Sequence, residues 1–145
     1  MTAKEILDLA QDIDTRINSK LEQICYLNDL ATKCTASYSD MPRNPNRGSS
    51  SMADTVIKII DLEDSINKDI DKLVDLKIII NVMIASVENP EYATLLELRY
   101  ICFKTWEQIA VIMGYTLRYI HKLHNYALDC CVVPDGCKNL NKEDI

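Results

Sequence analysis

The chain has 145 residues, 48% of them hydrophobic, with only three glycines, four prolines and one phenylalanine. That composition excludes a disordered or collagen-like chain and favours an all-α protein over sheets. Its formal net charge of −6 excludes a uniformly basic nucleic-acid coat protein. No basic-then-apolar leader and no run of eighteen apolar residues occurs, so the expectation is a cytoplasmic protein without a membrane span.

Thr2 and Glu5 stand at capping-box spacing, and Ile6, Leu9, Ile13, Ile17, Leu21, Ile24, Leu27 and Ala31 follow at steps of three and four. The spacing predicts one long helix over residues 3–37. Residues 39–51 hold Pro42, Pro45 and Gly48 and almost no apolar side chains, which predicts a loop. From Val56 a heptad pattern begins, with Val56, Ile70 and Ile84 in one series and Ile59, Ile66, Leu73, Ile80 and Val87 in a second. Glu63 and Lys77 interrupt the first series. The carboxylates around Asp61, Glu63, Asp64, Asp69 and Asp71 read as a solvated face. The pattern predicts a long antiparallel, coiled-coil-like helical hairpin over residues 1–88. Its surplus apolar residues, Ile60, Leu62, Val74, Leu76, Ile78, Ile79, Val82 and Met83, call for packing of its last turns on the domain that follows or on a second copy of the chain.

Asn89-Pro90 ends the hairpin, and Pro90 suits the first turn of a helix over residues 91–101, with Leu95, Leu98 and Cys102 closing a small core. Thr105 and Gln108 form a second capping box. Trp106, Ile109, Ala110, Val111, Ile112 and Met113 give that helix an apolar side, Trp106 as an anchor, and Gly114 stands where the chain turns left-handed. Tyr115 is expected as a plug, and Thr116 as the N-cap of a helix beginning at Leu117. In it Ile120, Leu123 and Ala127 face inward, while Arg118, His121, Lys122 and Asn125 face out with the donors that bind phosphates and base edges. Residues 1–90 carry ten basic and fifteen acidic side chains, and residues 99–128 carry four and one, so this segment is locally positive.

The pairing of a short capped helix, a glycine turn and an amphipathic helix with a polar outer face is the helix-turn-helix pattern. With Leu95-Leu96-Glu97-Leu98-Arg99-Tyr100 before it, the stretch over residues 89–128 resembles region 4 of bacterial sigma factors. The whole arrangement looks like small phage-encoded proteins of that type. The resemblance implies a DNA-binding transcriptional regulator with Leu117, Arg118, His121 and Lys122 facing bases or backbone, and together with Thr116 and Asn125 these are the expected contacts to double-stranded DNA. It departs from that pattern in Leu117, Tyr119 and two histidines, which leaves the target sequence open. The predicted organisation is a hairpin over residues 1–88 for dimerisation or partner binding, a helix-turn-helix domain over 89–131, and a tail over 132–145 that docks briefly and then becomes disordered. The alternative is a phage protein that modulates a host complex, such as RNA polymerase, through its helical surface without binding DNA.

No phosphate-cradling loop, metalloprotease helix or nucleophile motif occurs, and no enzyme activity or cofactor is expected. His121 and His124 with Cys130, Cys131 and Cys137 are metal-binding residue types, but their spacing fits no usual paired zinc pattern. The cysteines read as thiols, with a disulfide among the last three as an option.

Overall fold

The computed structural model describes residues 1–36 and 45–137, and all regular structure among them is helical. The order is α1 (Ala3–Ala36), α2 (Pro45–Ala85), α3 (Pro90–Leu96), a π-helical stretch (Glu97–Ile101), α4 (Trp106–Met113), α5 (Leu117–Cys130) and a 3-10 turn (Asp135–Cys137). The chain packs as two compact units, Met1–Ile13 with Lys72–Ile145, and Asp14–Asp71. The expected loop over 39–51 is shorter than its composition suggested, because α2 already begins at Pro45. At a first helical position the proline's missing N–H would have had no helical partner, and its fixed φ suits the turn. The rest of that loop lies outside the described residues, as does the tail end expected to be disordered.

α1 opens as read. Thr2 Oγ1 accepts from the Glu5 backbone N–H at 3.3 Å, and Glu5 Oε2 accepts from the Thr2 N–H at 2.7 Å. In the first unit Ile6, Leu7, Ala10 and Ile13 of α1 are buried, as are Leu73, Leu76, Ile80, Met83 and Ile84 of α2 and Val87 just after it. In the second unit the buried residues are Ile17, Ile66 and Asp69.

These positions bear out the second predicted series at Ile66, Leu73, Ile80 and Val87 and correct the first at Val56 and Ile70. On α2 the buried residues 66, 69, 73, 76, 80 and 83 step by three and four, while Val56 and Ile70 are exposed. The buried row thus runs through Asp69, which the sequence reading had placed on the solvated face. On α1 the row runs 6, 10, 13, 17, with half-buried Lys20, Ile24, Leu27 and Ala31 continuing it, and Leu21 is exposed.

Asp69 is buried because two cations meet it. Its two carboxylate oxygens accept from Arg16 Nε at 3.1 Å, Arg16 Nη2 at 3.0 Å and Lys20 Nζ at 2.6 Å, and Lys20 also donates to Ser65 Oγ at 2.6 Å. Burial pushes the Asp69 pKa up, but the hydrogen bonds and charges of Lys20 and Arg16 outweigh it and hold the carboxyl below its ordinary value. Later residues of α1 therefore lie beside earlier residues of α2 in this unit.

Asn89 ends the α2 segment and caps α3, its Oδ1 accepting from the Glu91 N–H at 2.9 Å, with Pro90 in the first turn. The helix expected to continue to residue 101 instead widens after Leu96. The Cys102 N–H reaches Glu97 O at 3.0 Å, a five-residue step. Leu95 and Leu96 before this stretch and Tyr100 within it are buried, whereas Cys102 after it is exposed and does not close the core as expected. Lys77 secures the wide turn, donating to Ile101 O at 3.1 Å with its ammonium 4.6 Å from the centroid of the Phe103 ring. Phe103 has a positive φ of 52°, and the Lys104 N–H beyond it returns to Leu98 O at 2.9 Å.

Candidate nucleic-acid interface

The sequence from Thr105 sets the geometry of α4 and α5. Thr105 and Gln108 form the complete capping box, with Oγ1 accepting from the Gln108 N–H at 3.3 Å and Gln108 Oε1 from the Thr105 N–H at 3.0 Å. α4 ends at Gly114, whose φ of 72° is open to glycine at little cost. The Tyr115 N–H then closes on Ala110 O at 3.0 Å. Thr116 caps α5, its Oγ1 accepting from the Tyr119 N–H at 3.3 Å.

Leu95, Ile109, Ile120 and Leu123 form the centre of the small core, with Tyr92, Leu98, Trp106, Ala110 and Met113 packed against it. Ala127 is buried on the same side of α5. α4 contributes less to this core than its composition promised. Only Ile109 is fully buried, and Val111 and Ile112 are 82% and 57% exposed. A helix of two turns on the surface of a small core has room for one inward stripe, and six apolar residues in eight positions exceed it. Tyr115 is likewise on the surface, its hydroxyl donating to Glu91 Oε1 and its ring packed on Tyr119, so it does not plug the helix pair.

The six expected site residues lie together on the turn and α5. Thr116, Leu117, Arg118, His121, Lys122 and Asn125 are all exposed. Arg118, Lys122 and Asn125 point away from the buried side of the helix, and among the described residues neither cation is paired with a carboxylate. His121 differs. Its ring lies 4.7 Å from the Trp106 ring, drawn to the α4 flank, while the Arg99 guanidinium covers Trp106 at 4.3 Å and donates to Lys104 O at 3.0 Å.

His124 is buried beside this stack, edge-on to Trp106 at 4.8 Å, with Nε2 2.7 Å from the Tyr100 hydroxyl. Burial first, then the charges of Arg99, His121 and Lys4, lower its pKa from 6.5 to about 4. Burial likewise lifts Tyr100 to about 12, so a protonated phenol faces a neutral imidazole. Because the unfolded chain binds the proton more readily, this site's contribution to stability is complete above about pH 6.5 and is lost as the pH falls towards 4. Urea midpoints at pH 7, 5.5 and 4.5 should fall with acid in the wild type and more shallowly in His124→Gln. Equal slopes in the two proteins would remove His124 as the cause.

Sequence reasoning missed Tyr119, Tyr126 and Arg99 as parts of this surface. Tyr119 and Tyr126 are exposed seven residues apart on one flank of α5, and the Lys122 ammonium lies 5.9 Å from the centroid of the Tyr126 ring. Their spacing was a visible signal, since i and i+7 share a helix face. Arg99 gave no such signal, because its reach to Trp106 depends on the widened turn. Among the described residues no group of three His, Cys, Asp or Glu side chains is placed to hold a metal.

No protein-family model, curated protein or solved structure matches the chain. No helix among the described residues is long and apolar enough to cross a membrane.

Proposed function

We propose that the chain is a DNA-binding transcriptional regulator of the phage or prophage kind, with α4, the Gly114 turn and α5 as a sigma region 4-like helix-turn-helix and α5 as the reading helix. The observation that carries the reading is the division of α5. Ile120, Leu123 and Ala127 are fixed in the core, and Arg118, Lys122 and Asn125 stand exposed on the opposite side. A helix so held can enter a major groove with its donors forward, Arg towards guanine edges, Asn towards adenine, Lys towards phosphate. α1 and α2 would form an antiparallel hairpin, supported by the bonds of Arg16 and Lys20 to Asp69 and of Lys20 to Ser65, and would serve dimerisation or partner binding.

Arg118→Ala should weaken binding to a selected duplex by about 1–3 kcal/mol while changing thermal stability little, if Arg118 reads a base edge. Anisotropy titrations on selected and random duplexes measure this. Unchanged affinity on both would mean that α5 is not the reading helix.

A second reading has its own support. Val74, Ile78 and Val82 form an exposed apolar row on α2 at four-residue steps, and residues 1–90 are acidic overall. These features suit a protein that acts on a host complex, RNA polymerase included, without binding DNA itself. Absence of DNA retention at low salt, together with specific capture of purified polymerase, would favour it.

A further inference from the structure

The outer face of α5 has two flanks, and they are built differently. At about 100° per residue, His121 and Leu117 fall on one side of the Arg118–Lys122–Asn125 row, and Tyr119 and Tyr126 fall on the other. The first flank is occupied by α4, where His121 rests on Trp106. On the second flank stands a chain of contacts from three parts of the fold. Glu91 in the first turn of α3 accepts from the Tyr115 hydroxyl in the turn before α5, and the Tyr115 ring meets Tyr119 at 4.8 Å with the planes 65° apart. Tyr119 is exposed yet held on one side by an aromatic partner.

Resting on the DNA-binding reading above, we infer that Tyr119 is a contact to the phosphate backbone along one wall of the groove, with Tyr115 and Glu91 as the positioning residues that hold its ring. An α-helix with its side chains is about 10–12 Å across and the major groove about 12 Å wide, so residues on the flanks of a reading helix face phosphates. A tyrosine hydroxyl is one of the neutral donors that bind phosphate oxygens. Tyr119 lies in the first turn of α5, between Arg118 and Lys122, the end where a reading helix meets the bases. Tyr126 shares the flank but stands in the C-terminal half of α5, away from the end that meets the bases. The Glu91 carboxylate is engaged by the Tyr115 hydroxyl, whose pKa is raised first by that hydrogen bond and then by the Glu91 charge. The aromatic pair restricts the rotamers of Tyr119 before DNA arrives, which reduces the entropy lost on binding.

The test is fluorescence anisotropy of the full chain on two probes, a duplex that the protein enriches from a random-sequence pool and a bulk random-sequence duplex, each over a salt series. Tyr119→Phe removes only an exposed hydroxyl, and melting curves check that folding is intact. It should weaken binding about 3–10-fold on both probes alike, the size of one hydrogen bond, and leave the salt slope unchanged because a neutral donor releases no counterion. Lys122→Ala should instead reduce that slope by about one. Tyr115→Phe, which removes the bond to Glu91 and keeps the ring, should weaken binding by a smaller factor and have no further effect in the Tyr119→Phe background, which a general structural role would not produce. Wild-type binding with Tyr119→Phe indistinguishable from it overturns the assignment and leaves the DNA reading standing. Absence of wild-type binding to either probe overturns both.

Discussion

Replacing Ile120 with alanine is expected to lower the unfolding free energy of the unit that contains it by about 3–4 kcal/mol, in the range found for fully buried isoleucines. Ile120 has no exposed surface and lies with Leu95, Ile109 and Leu123 at the centre of a core made by short helices. α3 and α4 have seven and eight residues, too few to rearrange around a void without losing their caps. Most of the lost volume would therefore remain as a cavity, and the cavity adds to the transfer cost. Val111→Ala on the neighbouring helix removes methyl groups that water already surrounds, and should stay within about 0.5 kcal/mol. Urea titrations followed by circular dichroism give both values. A loss below about 1 kcal/mol for Ile120→Ala would mean that the small core collapses around the gap and does not fix α5.

The second large effect is expected at Asp69. Asp69→Ala should cost about 2–3 kcal/mol, below the figure for a fully buried pair because Arg16 is half exposed. The Lys20 side chain is only 18% exposed and would keep its charge with Ser65 as its remaining named partner. Leaving that cation unmatched is what costs, more than the loss of attraction itself. Double replacement, Asp69→Leu with Lys20→Met, should recover most of the loss, since an apolar pair fills the same row without a charge to desolvate. Acid separates the wild type from the single variant. The depressed carboxyl contributes stability above its unfolded value of 3.8, and the contribution is lost as the pH falls through its lower folded value. Thermal melts between pH 5 and pH 2 should show that loss in the wild type and not in Asp69→Ala. The same acid slope in both proteins would sink the ion-pair account.

The local signals were legible where a residue type answers to one backbone geometry. Thr105 with Gln108, Gly114, Thr116 and Asn89-Pro90 each name a helix end, and each stands at one. The inward side of α5 followed from Ile120, Leu123 and Ala127 because a helix on the surface of a core has one stripe. What failed is equally particular. α2 has more apolar residues than it can bury, so several heptad frames fit its sequence, and the frame chosen by hydrophobicity put Ile70 inside and Asp69 outside. Only the positions of Arg16 and Lys20 on the other helix resolve it, and no local pattern carries that information. The widening after Leu96 was hidden for a related reason. Its securing contact comes from Lys77, twenty-four residues before the carbonyl that it binds. Of the site, the exposed donors of α5 were readable from period alone, whereas the Glu91–Tyr115–Tyr119 chain joins elements that sequence order keeps apart.

The carboxylate within the buried row of α2 also limits sliding. Two long helices with apolar rows at heptad spacing can shift past each other by seven residues and still match oil to oil, so burial alone leaves several offsets close in energy. Such a shift would carry Asp69 from Arg16 and Lys20 to Gln23 and Leu27 in one direction, or to Leu9 and Ile13 in the other. Neither place offers a cation, and a stranded charge there would be penalised far more than a misplaced methyl group. Within the second unit, one aspartate thus acts as a ratchet tooth, making the alignment of α1 on α2 there a choice among discrete positions of which one is acceptable.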